Sequence, residues 1–305
     1  MCSSDLFWAV RITYDPSSKL VFSRDPEAIT RFNKQFGLDK PIPVQYVKWF
    51  GNLLRGNWGI STRTNGDVLP MMTRSLGFTL QLIVWGLLVS VIIAVAIGVL
   101  GAVKQYSVFD YAATTASYIG VSMPPFWFGL IAIQFFVFVL KDWLHLSAAP
   151  FFFVGLHSTG QSGINLDYFR HLFLPVLTLC VQIIAEWSRY QRAAMLEVLG
   201  ADYIRTARAK GVPRRKVIFR HALRNALMPL VTVVAIQAGL LFGGLIITET
   251  IFSIPGMGRL FLQSLQAGDA YVLLAWFMVV AVAIIVFNLV ADLLYALLDP
   301  RIRLS

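Results

Sequence analysis

The residues of this chain that could do chemistry are four histidines, two cysteines and a dense run of arginines. His145, His157, His171 and His221 stand apart, and no His-Glu-x-x-His, Gly-x-Ser-x-Gly or aspartate pair lies within an apolar block. Hydrolysis by metal-bound water, an activated serine or an aspartyl dyad lacks its residues, so no catalytic or metal-ligating set is expected. Cys2 and Cys180 have neither redox nor ligand spacing. A Gly-rich loop ending in Gly-Lys-Ser/Thr is missing too, so the chain is not expected to hydrolyse ATP.

What remains is ten cations between Arg189 and Arg224, and five amides, Gln81, Gln134, Gln182, Gln237 and Asn288, set inside apolar stretches. Polar groups at such depth face protein or water. The amides can hydrogen-bond between helices or line a polar pathway. Glu186 and Arg189, three apart, are expected to pair with each other.

The elements that position these residues are apolar blocks. The chain is 57% hydrophobic and 14% charged, against about 25% charged in soluble domains. Blocks 76–103, 111–140, 172–185 (continuing past Glu186 towards Ala194), 225–248 and 270–291 each approach the roughly 20 residues that cross a bilayer. The expected fold is an all-α integral membrane protein, a polytopic helical bundle with five visible spans. Pro124, Pro125, Pro175 and Pro229 should kink or start helices.

The net charge of +10 would also suit a nucleic-acid binder. Location decides against that reading, because the basic cluster sits in a loop between apolar blocks. Thirteen Lys and Arg follow the first, third and fifth spans, and only Lys141, Arg170 and Arg259 lie in the opposite loops. The richer side is expected to be cytoplasmic, with the C-terminus and tail 299–305 inside. Residues 76–298 form the transmembrane domain with a cytoplasmic loop 197–224, and 25–75 form an extracytoplasmic segment. In that segment Asp25-Pro26 opens a helix that Gly37 can end. Tyr46, Trp49, Phe50, Leu53 and Leu54 give a second, amphipathic helix. Residues 1–24 carry Arg11, Asp15, Lys19 and Arg24, show no cleavable leader and cannot span.

Loop 197–224 has internal order. Asp202 can cap a short helix through Ala209, and Gly211 followed by Pro213 is a stop signal. Ile204, Ala207 and Gly211 share a face, ringed by Arg205, Arg208 and Lys210. Pro213 then opens a second helix. Ten cations could do no more than fix topology, but a small-residue face closed by a helix stop exceeds what topology requires. The loop reads as a docking knob.

The run Gly200-Ala201-Asp202-Tyr203-Ile204-Arg205-Thr206-Ala207-Arg208-Ala209-Lys210-Gly211, followed by Arg220-His221-Ala222-Leu223-Arg224-Asn225-Ala226-Leu227-Met228-Pro229, resembles the EAA-type loop of binding-protein-dependent ABC importer permeases. It is most similar to the B-type subunit of the dipeptide and oligopeptide branch. Phe36-Gly37-Leu38-Asp39-Lys40-Pro41, Gly56-Asn57-Trp58-Gly59, Ser122-Met123-Pro124-Pro125-Phe126-Trp127, Glu249-Thr250-Ile251-Phe252-Ser253-Ile254-Pro255-Gly256-Met257-Gly258 and Leu298-Asp299-Pro300-Arg301 fit in order. Of the generic EAA pattern, only Ala207 and Gly211 match. The family begins with a first helix that residues 1–24 cannot supply, so five spans of an expected six are visible and that helix is expected to be absent or replaced.

The resemblance implies a type I importer permease paired with a second, homologous permease, two ABC ATPase subunits that hold ATP and Mg, and an extracytoplasmic solute-binding protein. It would lie in lipid, in a bacterial or archaeal cell membrane, and bind no nucleic acid and no cofactor of its own. Asp202, Tyr203, Ile204, Arg205, Ala207, Arg208, Lys210 and Gly211 would form the coupling helix. Gly239, Gly243 and Gly244 would permit close packing across the permease pair. Cargo would be di- or oligopeptides. Nickel, glutathione or sugar cargo in the same family is the alternative, and a channel or secondary transporter a more distant one. The purified chain alone is expected to release no phosphate from ATP in a steady-state assay.

Overall fold

The computed structural model describes residues 5, 7–10, 39–243 and 245–298. The helix expected from Asp25 to Gly37, most of segment 1–24 and the tail 299–305 lie outside the described residues. The chain divides into two compact units: 1–79 with 243–246 and 255–283, and 80–242 with 247–254 and 284–305.

In the first unit, α1 (Ile42–Leu54) starts immediately after Pro41, where a missing N–H costs nothing. Its expected apolar face is real: Trp49 is buried, with Tyr46, Phe50 and Leu53 packed beside it, against Phe7, Val10, Ala270, Leu273 and Leu274. A second cluster joins Val68 and Met72, at the start of α2 (Val68–Val103), to Met257 and Leu260 of α10 (Met257–Ala267) and to Val272, Ala275 and Trp276 of α11 (Ala270–Leu298).

The second unit holds the rest of α2 and α11 together with α3 (Val108–Ser122), α4 (Pro125–Trp143), α5 (Leu166–Gly200), α6 (Asp202–Ala209), α7 (Arg214–Ala226), α8 (Met228–Leu241) and the greater part of α9 (Ile246–Ile251). Among the described residues four helices are long and apolar enough to cross a membrane: Val68–Val103, Pro125–Trp143, Leu166–Gly200 and Ala270–Leu294. The pair α7 and α8, bent by 43° at Leu227, adds a fifth, broken span. At 1.5 Å per residue, the 36 residues of α2 reach about 54 Å, well beyond a hydrocarbon layer of about 30 Å. Its ends therefore lie outside that layer.

Two expected spans are corrected. Block 111–140 is not one helix: α3 ends at Ser122, Met123 is extended, and α4 starts at Pro125. Pro124 and Pro125 have no N–H for the carbonyls of Gly120 and Val121, and a residue before proline avoids the helical region. Block 225–248 ends as a helix at Leu241, and Thr248 belongs to the separate α9. The third span starts at Leu166 rather than Leu172, because Asn165 caps it by accepting from the Tyr168 amide at 2.9 Å. Pro175 lies inside α5 without ending it. Six-residue π-helical stretches, Gln134–Val139 and Val217–Ala222, interrupt α4 and α7.

The helices meet where side chains are small. A Cβ on Gly98 would come within 2.8 Å of the Ser188 carbonyl oxygen, so α2 and α5 nearly touch by their backbones. Gly239 faces Phe287 and Ile284 of α11. It therefore packs within this chain, not across the expected permease pair.

A bidentate ion pair fixes α3 on α5. The Arg192 guanidinium donates to both oxygens of Asp110, at 2.5 and 2.7 Å, and the Tyr106 amide donates to the same carboxylate at 3.0 Å. Arg192 bonded beside it holds the Asp110 carboxyl below the usual carboxylate range. The sign follows: the pair stabilises the fold fully above the unfolded carboxylate's pKa, and that contribution is lost as pH falls through the lower folded value. Asp110→Asn should cost about 3 kcal/mol, lowering the thermal midpoint in detergent at pH 7 while shrinking its sensitivity to acid. Gly98→Val should cost about 1–3 kcal/mol by forcing α2 off α5, read by the same melt.

Candidate functional site

The basic elbow between α5 and α8 is built on one buried residue. Ile204 of α6 is fully enclosed by Val99 and Ala102 of α2, Met195 of α5, and Val217, Ala222 and Ala226 of α7. Ala207 and Val212 pack against the same cluster. The Ile204–Ala207 face, expected to meet a partner, therefore holds the elbow to its own spans. Tyr203, Arg205, Arg208, Lys210 and Gly211 are the exposed members of the expected set, with Asp202.

The local chemistry explains the shape. Asp202 does not cap: the N-cap is Ala201, with no side-chain bond, and Asp202 sits in the first turn. There its charge favours the helix N-terminus, and it lies 3.5 Å from Arg205. The C-terminus closes as a Schellman turn, the Val212 amide donating to the Ala207 carbonyl and the Gly211 amide to that of Arg208. That turn requires the left-handed φ of +75° at Gly211, which glycine adopts without strain. Gly211 has open space around a Cβ, so backbone conformation, not crowding, demands glycine. Pro213 precedes α7 as expected. Asn225 of α7 donates to the Tyr203 hydroxyl at 2.7 Å, tying the two elbow helices together.

One surface feature was missed. Phe219 is 57% exposed and, with Pro213, Arg215, Lys216 and Arg220, lines a hollow of about 660 Å³. An aromatic among cations at exposed helical positions was the available signal.

The five amides part ways. Gln182 donates to the Met123 carbonyl at 2.8 Å, where the α3–α4 break leaves an acceptor without a helical donor. Gln237 accepts from Trp187 Nε1 at 2.7 Å and donates to Glu186 at 3.2 Å, joining α8 to α5. Gln81 is half-buried, while Gln134 and Asn288 are exposed. The expected Glu186–Arg189 pair does not form, since Glu186 is turned to Gln237 and Arg189 lies over the Tyr118 ring, 5.0 Å from its centre.

Comparison with known proteins fits this arrangement. Residues 94–304 match the family described as binding-protein-dependent transport system inner membrane component. The oligopeptide transport system permease protein AppB of Bacillus subtilis (strain 168) is 38% identical, covering 94% of this chain and 90% of its own. The dipeptide transport system permease protein DppB of Escherichia coli (strain K12) is 39% identical, covering 91% and 86%. Among solved structures, the MetNI methionine ABC transporter in inward-facing conformations shares the fold, with a TM-score of 0.56 at 18% identity over 75% of this chain and 96% of that one. On the span of that family match and the identity to these permeases, the protein belongs to the binding-protein-dependent transport system inner membrane components, as a permease subunit of an ABC importer.

Proposed function

We propose that this permease carries small peptides inward, driven by ATP hydrolysis on two separate ABC ATPase subunits that bind the ATP and Mg. A second, homologous permease completes the pathway, and an extracytoplasmic solute-binding protein delivers the cargo. The elbow and the C-terminus lie on the cytoplasmic side of a bacterial or archaeal cell membrane, as the Lys and Arg distribution favours. The peptide cargo is supported by the relatives, AppB being an oligopeptide and DppB a dipeptide transport system permease protein.

The burial of Ile204 carries the coupling reading. Its side chain is locked among residues of α2, α5 and α7, so a displacement of α6 cannot be absorbed locally in a close-packed interior. It moves those helices as a body. Tyr203, Arg205, Arg208 and Lys210 face outward and offer charge-assisted contacts to acidic or carbonyl groups on a motor subunit.

Two kinds of variant separate docking from leverage in the full complex reconstituted in liposomes. Arg205→Glu with Arg208→Glu should reduce both co-purification of the ATPase subunits and peptide uptake. Ile204→Ala leaves the outer face in place but opens a void costing about 2–4 kcal/mol, so ATP hydrolysis should continue while uptake per ATP falls. Gly211→Val strains the turn by about 1–2 kcal/mol and should uncouple likewise. Unchanged co-purification and uptake in the double charge reversal would remove the docking role.

A further inference from the structure

Among the described residues Arg189 is a cation without an anion. It lies on α5, and the packing of α3 against α5 fixes its level: Asp110 meets Arg192, Ser117 meets Ser188 at 3.2 Å, and Met123 meets Gln182. Tyr118, its ring partner, is eight residues along α3 from Asp110, about 12 Å further from that end. Asp110 on α3 is bound by Arg192, and Glu186, three residues before Arg189 on α5, accepts from Gln237. Nε of Arg189 is buried with no hydrogen-bond partner. The guanidinium lies over the face of Tyr118, 5.0 Å from the ring centre.

A guanidinium nitrogen buried without a partner is expensive. It persists where a missing partner completes it, and the partner that fits a planar fork of donors is a carboxylate. Beside Tyr118 opens a hollow of about 580 Å³ lined by Tyr118, Ile119, Ser122, Met123, Phe126 and Trp127. The hollow exists because the chain breaks at Met123, and Gln182 already satisfies the carbonyl freed there. The Tyr118, Phe126 and Trp127 rings, half exposed, give an apolar wall of no sequence preference.

We propose that Arg189 is the transit site for the C-terminal carboxylate of a passing peptide, whose side chains lie against the Tyr118, Phe126 and Trp127 wall. This rests on the peptide cargo proposed above. The carboxylate binds the guanidinium fork, which no described residue neutralises. The aromatic wall accepts varied side chains without holding any one tightly.

The test is ATP-driven uptake by the complete reconstituted complex, with the binding protein supplied with either of two cargoes. One is a peptide with a free C-terminus and the other its C-terminal amide. Arg189→Gln should lower uptake of the free-carboxylate peptide about tenfold or more, the scale of one charge-assisted hydrogen bond, while leaving the amide within about twofold. Arg189→Lys, which keeps the charge, should recover most of that loss. Equal loss on both cargoes would mean that Arg189 serves packing or pairs with a carboxylate of the second permease, and would overturn the assignment, as would no loss on either. Parent complex that takes up neither peptide would instead overturn the cargo reading, and this site with it.

Discussion

Inside hydrocarbon a backbone amide or carbonyl has no water to turn to, and each one left unpaired costs several kcal/mol. The described part of this permease is arranged around that constraint. Long uninterrupted helices satisfy it by themselves, as α2 and α11 do. Where the chain breaks, another group must step in. At Met123 that group is the Gln182 side chain, so of the two roles open to that amide in sequence, hydrogen bonding between helices or lining a pathway, it takes the first. At Leu227 the helical ladder survives the bend, with Leu227 donating to Leu223 and Val231 donating to Leu227. Pro229, which has no N–H to give, opens the next segment.

The same economy governs side chains. Asp110 is buried but takes two bonds from Arg192 and one from the Tyr106 amide. Glu186, Gln237 and Trp187 form a closed chain of donors and acceptors between α5 and α8. Several buried groups are left unmatched among the described residues, Gln191, Ser90 and Ser264 with them, and Arg189 differs from these in being a cation. A charged mismatch is a functional signal in a way that a polar residue alone is not.

The elbow obeys a different constraint, rigidity. Its Schellman turn, the Asn225–Tyr203 bond and the buried Ile204 make three separate ties between a short helix and the spans. A short helix on a membrane surface would have little stability by itself. Packed this way, it becomes a handle, and in the proposed coupling the cations around it are the grip.

The sequence by itself determined the helical membrane class, the five apolar blocks, the stop at Gly211 and Pro213, the amphipathic helix around Trp49, and the likeness to importer permeases. Each of these is written in local composition or in short-range order, which a linear reading can see. Tertiary structure alone decided which way each side chain was spent. Ile204 and Ala207 turned inward because α2 and α7 supply a cluster for them. Gly239 turned to α11, and Gly98, unnoticed in sequence, became a point of close backbone approach between α2 and α5. Glu186 passed over the residue three positions along its own helix in favour of one on α8. Those choices depend on groups up to a hundred residues apart meeting in space, and a chain's order does not carry that information.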